Sequence, residues 1–258
     1  VNPRAFSTLG CPDATVEEAV ALARAGPCAG VELRCAPGQL AEPGMPADHA
    51  RALAARLSGA GLGVVCLASY VRVADDTPGV DVDLVRHLRL AAALGAGGLR
   101  VFGGGTGRPH GRRARAVRRL ARAASLATDL AVPVVLETHD EFPTGESVAD
   151  VLDAVGSPAV GAVWDAVNPW RAGEDPAGTA AALSPWLRHV QLKDVATPAD
   201  LRPVLPGHGV LPLAEVMTEL RRLAYRGPVS LEWERAWYPE AAPLDEALAA
   251  FHGLLDRL

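Results

Sequence analysis

Long apolar runs are missing from this chain, and no stretch is continuous enough to span a bilayer. The opening residues, VNPRAFS, lack the apolar core of a secretory signal. Cysteine is scarce. Cys11, Cys28, Cys35 and Cys66 show no CxxC spacing, so free thiols in a reducing cytoplasm are expected rather than a disulfide framework or a cysteine-built metal cluster. Excess positive charge is lacking too: the formal net charge is −5. Nucleic-acid binding is therefore not expected, because phosphate backbones are held by clustered Lys and Arg. No linker, low-complexity tract or composition shift divides the chain. The glycine fingerprint of a doubly wound dinucleotide fold is absent after the early strands.

What is present is a repeated alternation of short apolar runs and amphipathic stretches. Strands are expected at Ala5–Gly10, Gly30–Arg34, Val64–Ser69, Leu99–Gly103, Val132–His139, Val160–Asp165, His189–Asp194 and Val229–Glu234. Helices are expected at Thr15–Ala25, Pro46–Ala60, Asp81–Leu94, Arg112–Leu130, Val148–Val155, Ala177–Leu183, Leu213–Leu223 and Leu244–Leu258. Eight such alternations over residues 1–258, with 49% hydrophobic residues, predict one α/β domain, a single (β/α)8 TIM barrel.

The fifth strand, VPVVLETHD, ends in a way that organises the rest. Side chains alternate along a strand, so Val135, Glu137 and His139 share one face. In a parallel barrel this end is the C-terminal rim, where such barrels carry their chemistry. Other strands end alike: the sixth offers Asp165, the seventh Gln191 and the eighth Glu232. Three carboxylates and an amide carbonyl are oxygen donors suited to one hard divalent cation, Mg2+ or Mn2+, with Co2+ or Zn2+ as alternatives. Without a cation, three facing carboxylates repel and cannot all stay ionised.

In this order and at these strand ends, LETHD, VWDAVNP, HVQLKD and SLEWE resemble the xylose isomerase-like TIM-barrel superfamily of sugar isomerases, epimerases and dehydratases. The resemblance spans essentially the whole chain. It implies metal ligands at Glu137, Asp165, Gln191 and Glu232. It also implies Glu137 and Glu232 as the acid–base pair on either side of an enediolate. The chain departs from the commoner pattern at three positions: Gln191 and Asn168 stand where histidine is usual, and His208 in PGHG stands where glutamate is common. The endonuclease branch needs further histidine and carboxylate ligands for three metals, and this chain has only seven histidines.

Substrate contacts are expected from His139, Glu32, Asn168, His208 and Lys193. Alternative readings stand beside them. Glu32 could pair with Arg34 or Arg100, His139 could support a ligand, and Lys193 could bridge a neighbouring carboxylate. His189 reads as a satisfied core histidine. Trp164, Trp170, Trp233 and Trp237 read as pocket wall or as packing. Gly103–Gly107 before Arg108 reads as a rim loop, since it lacks the phosphate-loop pattern. Arg112, Arg115, Arg119 and Arg122 form a helical stripe, read as a solvated face or as a salt-bridged contact in a homo-oligomer. The favoured function is a metal-dependent isomerase or epimerase of a small polyhydroxylated carbonyl compound. A lyase dehydrating a cyclic keto-polyol and a non-catalytic carbohydrate-binding barrel are the alternatives.

Overall fold

The computed structural model describes residues 2–105 and 110–258. Parallel strands β1 (Arg4–Ser7), β2 (Cys28–Arg34), β3 (Gly63–Arg72), β4 (Leu99–Phe102), β5 (Val134–Glu137), β6 (Val160–Asp165) and β7 (Leu187–Leu192) run side by side. After them β8 (Val195–Thr197) and β9 (Asp200–Pro203) form a small antiparallel hairpin, and β10 (Val229–Leu231) inserts between β7 and β1 to close the barrel. The helices are α1 (Val16–Arg24), α2 (Ala47–Gly59), α3 (Val80–Ala93), α4 (Arg112–Asp129), α5 (Gly145–Val155), α6 (Val167–Arg171), α7 (Pro176–Leu183), α8 (Leu213–Arg222) and α9 (Leu244–Arg257). The expected TIM barrel is the observed one. Among the described residues no helix is long and apolar enough to cross a membrane.

Local boundaries differ where side chains cap the backbone. The expected Ala5–Gly10 strand stops at Ser7, whose hydroxyl accepts from Leu9 N and opens a 3-10 turn over Thr8–Gly10. Helix α5 starts three residues before the expected Val148, because Thr144 and Ser147 cap each other's backbone N–H groups. The β8–β9 hairpin and the five-residue α6 have no counterpart among the expected elements. Both are too short to show a period.

Strand alternation sorts the barrel into two regions. Phe6, Val31, Leu33, Leu67, Leu99, Val101, Val134, Leu136, Trp164, Val190, Leu192 and Leu231 belong to the large apolar core shared with the helices. The alternate set, Ser7, Glu32, Cys66, Arg100, Val135, Val163, His189, Gln191 and Ser230, is also buried. Of these only Cys66, Val135 and Val163 form an apolar cluster. The barrel axis, which bulky aliphatic layers commonly fill, is here largely polar.

Two surface readings resolve within the fold. The arginine stripe of α4 is used internally at three of its four positions. Arg112 Nη1 donates to Glu141 at 2.6 Å, Arg115 Nε to Ala74 O at 2.7 Å, and Arg119 Nη1 to Val73 O at 2.5 Å and Asp75 O at 2.9 Å. These bonds pin α4 to the loops after β3 and β5, so the stripe is a clamp rather than a solvated face. Trp164 and Trp233 are packing residues in the large core, Trp170 is half-buried against it, and Trp237 is exposed. The expected rim loop at Gly103–Gly107 lies partly outside the described residues.

Candidate active site at the mouth of the barrel

Each candidate side chain owes its place to a strand end. Glu137 is the last residue of β5 and Asp165 the last of β6; Gln191 is the fifth of six in β7, and Glu232 follows β10. Register puts Asp165 beside Gln191, and Gln191 beside Ser230, one residue before Leu231. Lys193 lies two residues beyond Gln191 on the same face. Glu137, Asp165, Gln191, Lys193 and Glu232 are all buried.

Lys193 ties the acidic side together. Its Nζ lies 3.1 Å from Asp165 Oδ2, 2.5 Å from Glu232 Oε2 and 2.6 Å from Glu234 Oε1. On the other side Arg100 Nε lies 3.2 Å from Glu137 Oε2. One layer deeper, Glu32 accepts from Gln191 Nε2 at 3.0 Å and lies 2.7 Å from His189 Nε2. Gln191 Nε2 also donates to Glu232 Oε1 at 3.2 Å, linking the two layers. Glu32 therefore finds its partners in His189 and Gln191, not in the Arg34 expected as one alternative.

The electrostatics follow from burial. Burial is the largest influence on Glu232 and pushes it up to about 8, with Lys193 pulling it down and Asp165, Glu137 and Glu234 adding to the rise. Glu137 and Asp165 are likewise raised, burial first, against the opposing pull of Arg100 and Lys193 respectively. Glu32 goes the other way. Burial works to raise it, but His189, Arg100 and Gln191 together hold it below its ordinary value. Burial also opposes the charge on Lys193, and its three carboxylate neighbours overcome that and hold it well above its ordinary value.

The remaining candidates are spread around this centre. Asn168 Nδ2 donates to Asp165 Oδ2 at 2.6 Å, so it orients a carboxylate. His139 sits at the edge, its Nδ1 2.7 Å from Asp140 Oδ1 and its ring 4.5 Å from that of Phe102. A tight turn holds it there: His139 and Phe142 exchange both backbone hydrogen bonds, and Asp140 takes a left-handed φ of 49°. His208 is exposed on its loop, and no contact among the described residues joins it to the cluster. That loop is tethered by Asp194, whose carboxylate accepts from Gly207 N at 2.9 Å, Gly209 N at 3.0 Å and Leu211 N at 3.2 Å. A Cβ at Gly209 would stand 2.1 Å from Asp194 Oδ1, so only glycine fits.

The sequence reading left out Glu234, Asp194 and the Arg100–Glu137 pair. Their signal was present: Glu234 repeats the spacing of Glu232 by two, and Arg100 is a charge inside a four-residue strand. Two cations also weaken the repulsion argument for a metal, since Lys193 and Arg100 already face the carboxylates. The balance still leaves room for a cation. Lys193 brings one charge to three carboxylates, and among the described residues two buried acceptors accept no hydrogen bond: Gln191 Oε1, and Glu137 Oε2, which has only the ion pair with Arg100. Both oxygens belong to expected ligands, and with Asp165 and Glu232 they make an all-oxygen set that fits a hard divalent ion. Among the described residues, no three His, Cys, Asp or Glu side chains are already grouped as a metal cage.

Beside this cluster the rim is cationic and aromatic. The Arg34 guanidinium lies 4.8 Å from the Trp237 ring and 5.5 Å from the Tyr70 ring, and its Nε donates to Tyr70 Oη at 2.8 Å. Arg34 and Trp237 also line a cavity of about 940 Å3 with Pro12, Glu18 and Arg235.

A sequence model described as xylose isomerase-like TIM barrel matches residues 20–253. No curated protein matches the chain. Among solved structures, D-allulose 3-epimerase from Methylomonas sp., in complex with D-allulose, superposes with a TM-score of 0.79 at 19% identity, covering 100% of this chain and 97% of that one. The probable 3-DHS dehydratase AsbF from Bacillus anthracis gives 0.77 at 18%, covering 96% and 98%. The 3-keto-D-glucoside 4-epimerase YcjR from E. coli gives 0.77 at 17%, covering 96% and 98%. At these identities the likeness is one of fold.

Proposed function

Because the chain belongs to the xylose isomerase-like TIM-barrel family, we propose that it is a divalent-metal-dependent isomerase or epimerase of a small sugar or keto-polyol. The observation that supports this reading is the placement of Glu137 and Glu232 at the two ends of one arc of strand ends. They stand on β5 and β10, three strands apart in an eight-strand ring, with Asp165 and Gln191 on the strands between. A flat substrate carbon held between them meets one carboxylate on each face. One removes the proton next to the carbonyl and the other returns it.

Glu137, Asp165, Gln191 and Glu232 would hold the cation, which when bound supplies a Lewis acid for the substrate carbonyl and neighbouring hydroxyl. The protein's own groups do the rest. Before a cation binds, burial raises Glu232 to about 8, so that its protonated form persists to neutral pH. Lys193 steadies the ionised form of Glu232, Arg100 that of Glu137, and Asn168 fixes the rotamer of Asp165. His139 remains the proposed contact to substrate hydroxyls and His208 the proposed contact from the loop, whereas Glu32, fully buried and bonded to His189 and Gln191, supports the site from below. A dehydratase is the second reading, favoured by the Lys193 ammonium 2.5 Å from Glu232, a donor for a departing hydroxide.

Incubating ketoses, inososes and cyclic keto-acids with the protein and Mn2+ in D2O tests both. Solvent deuterium at the carbon next to the carbonyl, lost in Glu232→Gln, is the expected result. Exchange without loss of water identifies an isomerase or epimerase, and a new enone absorbance identifies a dehydratase. Binding of a polyol with no exchange across the panel, or no metal bound at millimolar Mn2+, would favour the non-catalytic barrel.

A further inference from the structure

Glu32 lies one layer below the candidate ligands and turns both carboxylate oxygens to a single strand. Its Oε2 is 2.7 Å from His189 Nε2, and its Oε1 accepts from Gln191 Nε2 at 3.0 Å, with Oε2 3.2 Å from the same nitrogen. His189 and Gln191 are alternate residues of β7, so their side chains leave it on one face. Glu32 reaches them from β2, which β1 and β10 separate from β7 in the barrel ring. All three side chains are buried, so water does not compete for these bonds. A carboxylate offers acceptors only, so the end of the Gln191 amide facing it must be the nitrogen. The second hydrogen of that nitrogen goes to Glu232 Oε1 at 3.2 Å. Both donors of Gln191 are thereby spent on carboxylates, and its buried Oε1 accepts no hydrogen bond among the described residues.

We propose that Glu32 is a positioning residue for the cation site: it holds the Gln191 amide by its nitrogen and so leaves the oxygen free as the ligand. This rests on the metal-dependent reading of the site and deepens it. An amide is an oxygen ligand in only one of its two orientations, and the flipped amide presents N–H groups that repel a cation. Left to itself, a glutamine has no preference between the two. Glu32 supplies one, because a flip would set Gln191 Oε1 against carboxylate oxygens with no hydrogen between them. His189 completes the arrangement. Glu32 cannot donate, so Nε2 of His189 carries the hydrogen of their contact and fixes the carboxylate that reads the amide. In Glu32→Gln the new side chain should keep its oxygen on His189 and turn its NH2 group to Gln191. Gln191 would then accept with its own oxygen and leave N–H groups where the ligand oxygen stood.

The test is calorimetric titration of the full chain with Mn2+ in wild type, Glu32→Gln, Gln191→Glu and the double variant. With Gln191 in place, Glu32→Gln should weaken Mn2+ by on the order of tenfold to a hundredfold, as loss of an outer partner of a metal ligand does. A carboxylate at position 191 has two like oxygens and no orientation to select, and it is repelled by Glu32. In the Gln191→Glu background, Glu32→Gln should therefore leave Mn2+ affinity unchanged or tighten it. A residue needed only for folding would weaken both backgrounds alike. Metal-free wild type gives a second reading that no misfolded variant can spoil. In its NMR spectrum both side-chain amide hydrogens of Gln191 should lie downfield of those of free glutamine, each bonded to a carboxylate. Equal losses in the two backgrounds, unchanged affinity in Glu32→Gln, or amide hydrogens at ordinary positions overturns the positioning role while the metal reading stands. Wild type that binds no Mn2+ at millimolar metal overturns the metal reading, and the proposal with it.

Discussion

Lys193→Met removes the ammonium shared by Asp165, Glu232 and Glu234 while keeping much of the side-chain volume. Stranding one partner of a buried ion pair costs about 3–5 kcal/mol. Three carboxylates lose a cation here, but Glu234 keeps 16% side-chain exposure and some of its water. The loss therefore falls on Asp165 and Glu232. Either can take up a proton instead of staying charged, and Glu232 is already poised near about 8, burial being the foremost cause. That escape limits the cost near neutrality to about 3 kcal/mol, which for a chain of this size lowers Tm by roughly 6–12 °C. The pH dependence gives a second signature. Without Lys193 the carboxyl groups rise further, so the folded state holds more protons than the unfolded chain over a wider range. The gap between wild type and variant should widen as pH rises from about 5 to about 8. Urea unfolding of the metal-stripped proteins across that range measures it. A gap below about 1 kcal/mol, or one constant with pH, would refute Lys193 as the cluster's counter-ion.

Metal-stripped wild type should itself lose stability as pH rises from about 4.5 toward 8. Glu232, Glu137 and Asp165 are all raised, so the fold binds more protons than the unfolded chain in that window. Glu232→Gln should flatten the upper part of the slope in unfolding titrations, and saturating Mg2+ or Mn2+ should oppose the fall. Arg119→Ala breaks the bonds to Val73 O and Asp75 O and should cost about 1.5–3 kcal/mol in chemical denaturation; Arg118→Ala, on the exposed side, should stay within about 0.5 kcal/mol. Gln191→His should move metal preference toward Zn2+ or Co2+ by exchanging a hard amide oxygen for imidazole nitrogen; unchanged relative affinities by calorimetry would mean Gln191 is not a ligand. Asp194→Asn leaves one carbonyl oxygen where a carboxylate accepted from several backbone amides, and hydrogen exchange at Gly207, Gly209 and Leu211 should accelerate.

The barrel was legible because its signal is repetitive: eight apolar runs, each followed by an amphipathic stretch, leave little choice of architecture. The strand-end carboxylates were legible for the same reason, since Glu137, Asp165 and Glu232 each interrupt an apolar run at its end. What escaped depends on contacts between distant strands. Nothing local to Arg100 says that it meets Glu137 from the next strand, or that Glu32 turns to His189 and Gln191 across the barrel. The arginine spacing on α4 showed a stripe correctly but not what lay opposite it, the carbonyls of Val73, Ala74 and Asp75. His208 illustrates the converse: its motif pointed to the site, whereas the structure shows an exposed loop residue flanked on both sides by amides held by Asp194.

The polar axis of the barrel sets folding and chemistry against one another. Buried ion pairs replaced wholesale by apolar side chains of like volume are often neutral or more stable by about 1–4 kcal/mol. Glu32, His189 and Gln191, or Arg100 and Glu137, are groups of this sort, enclosed by a large apolar shell that does not need them. Selection for foldedness alone would let the axis drift toward the aliphatic layers common in such barrels. A thermostability screen run without an activity readout would therefore accumulate heat-resistant variants with hydrophobic centres, and the charge left along the axis would record how strongly function had been selected.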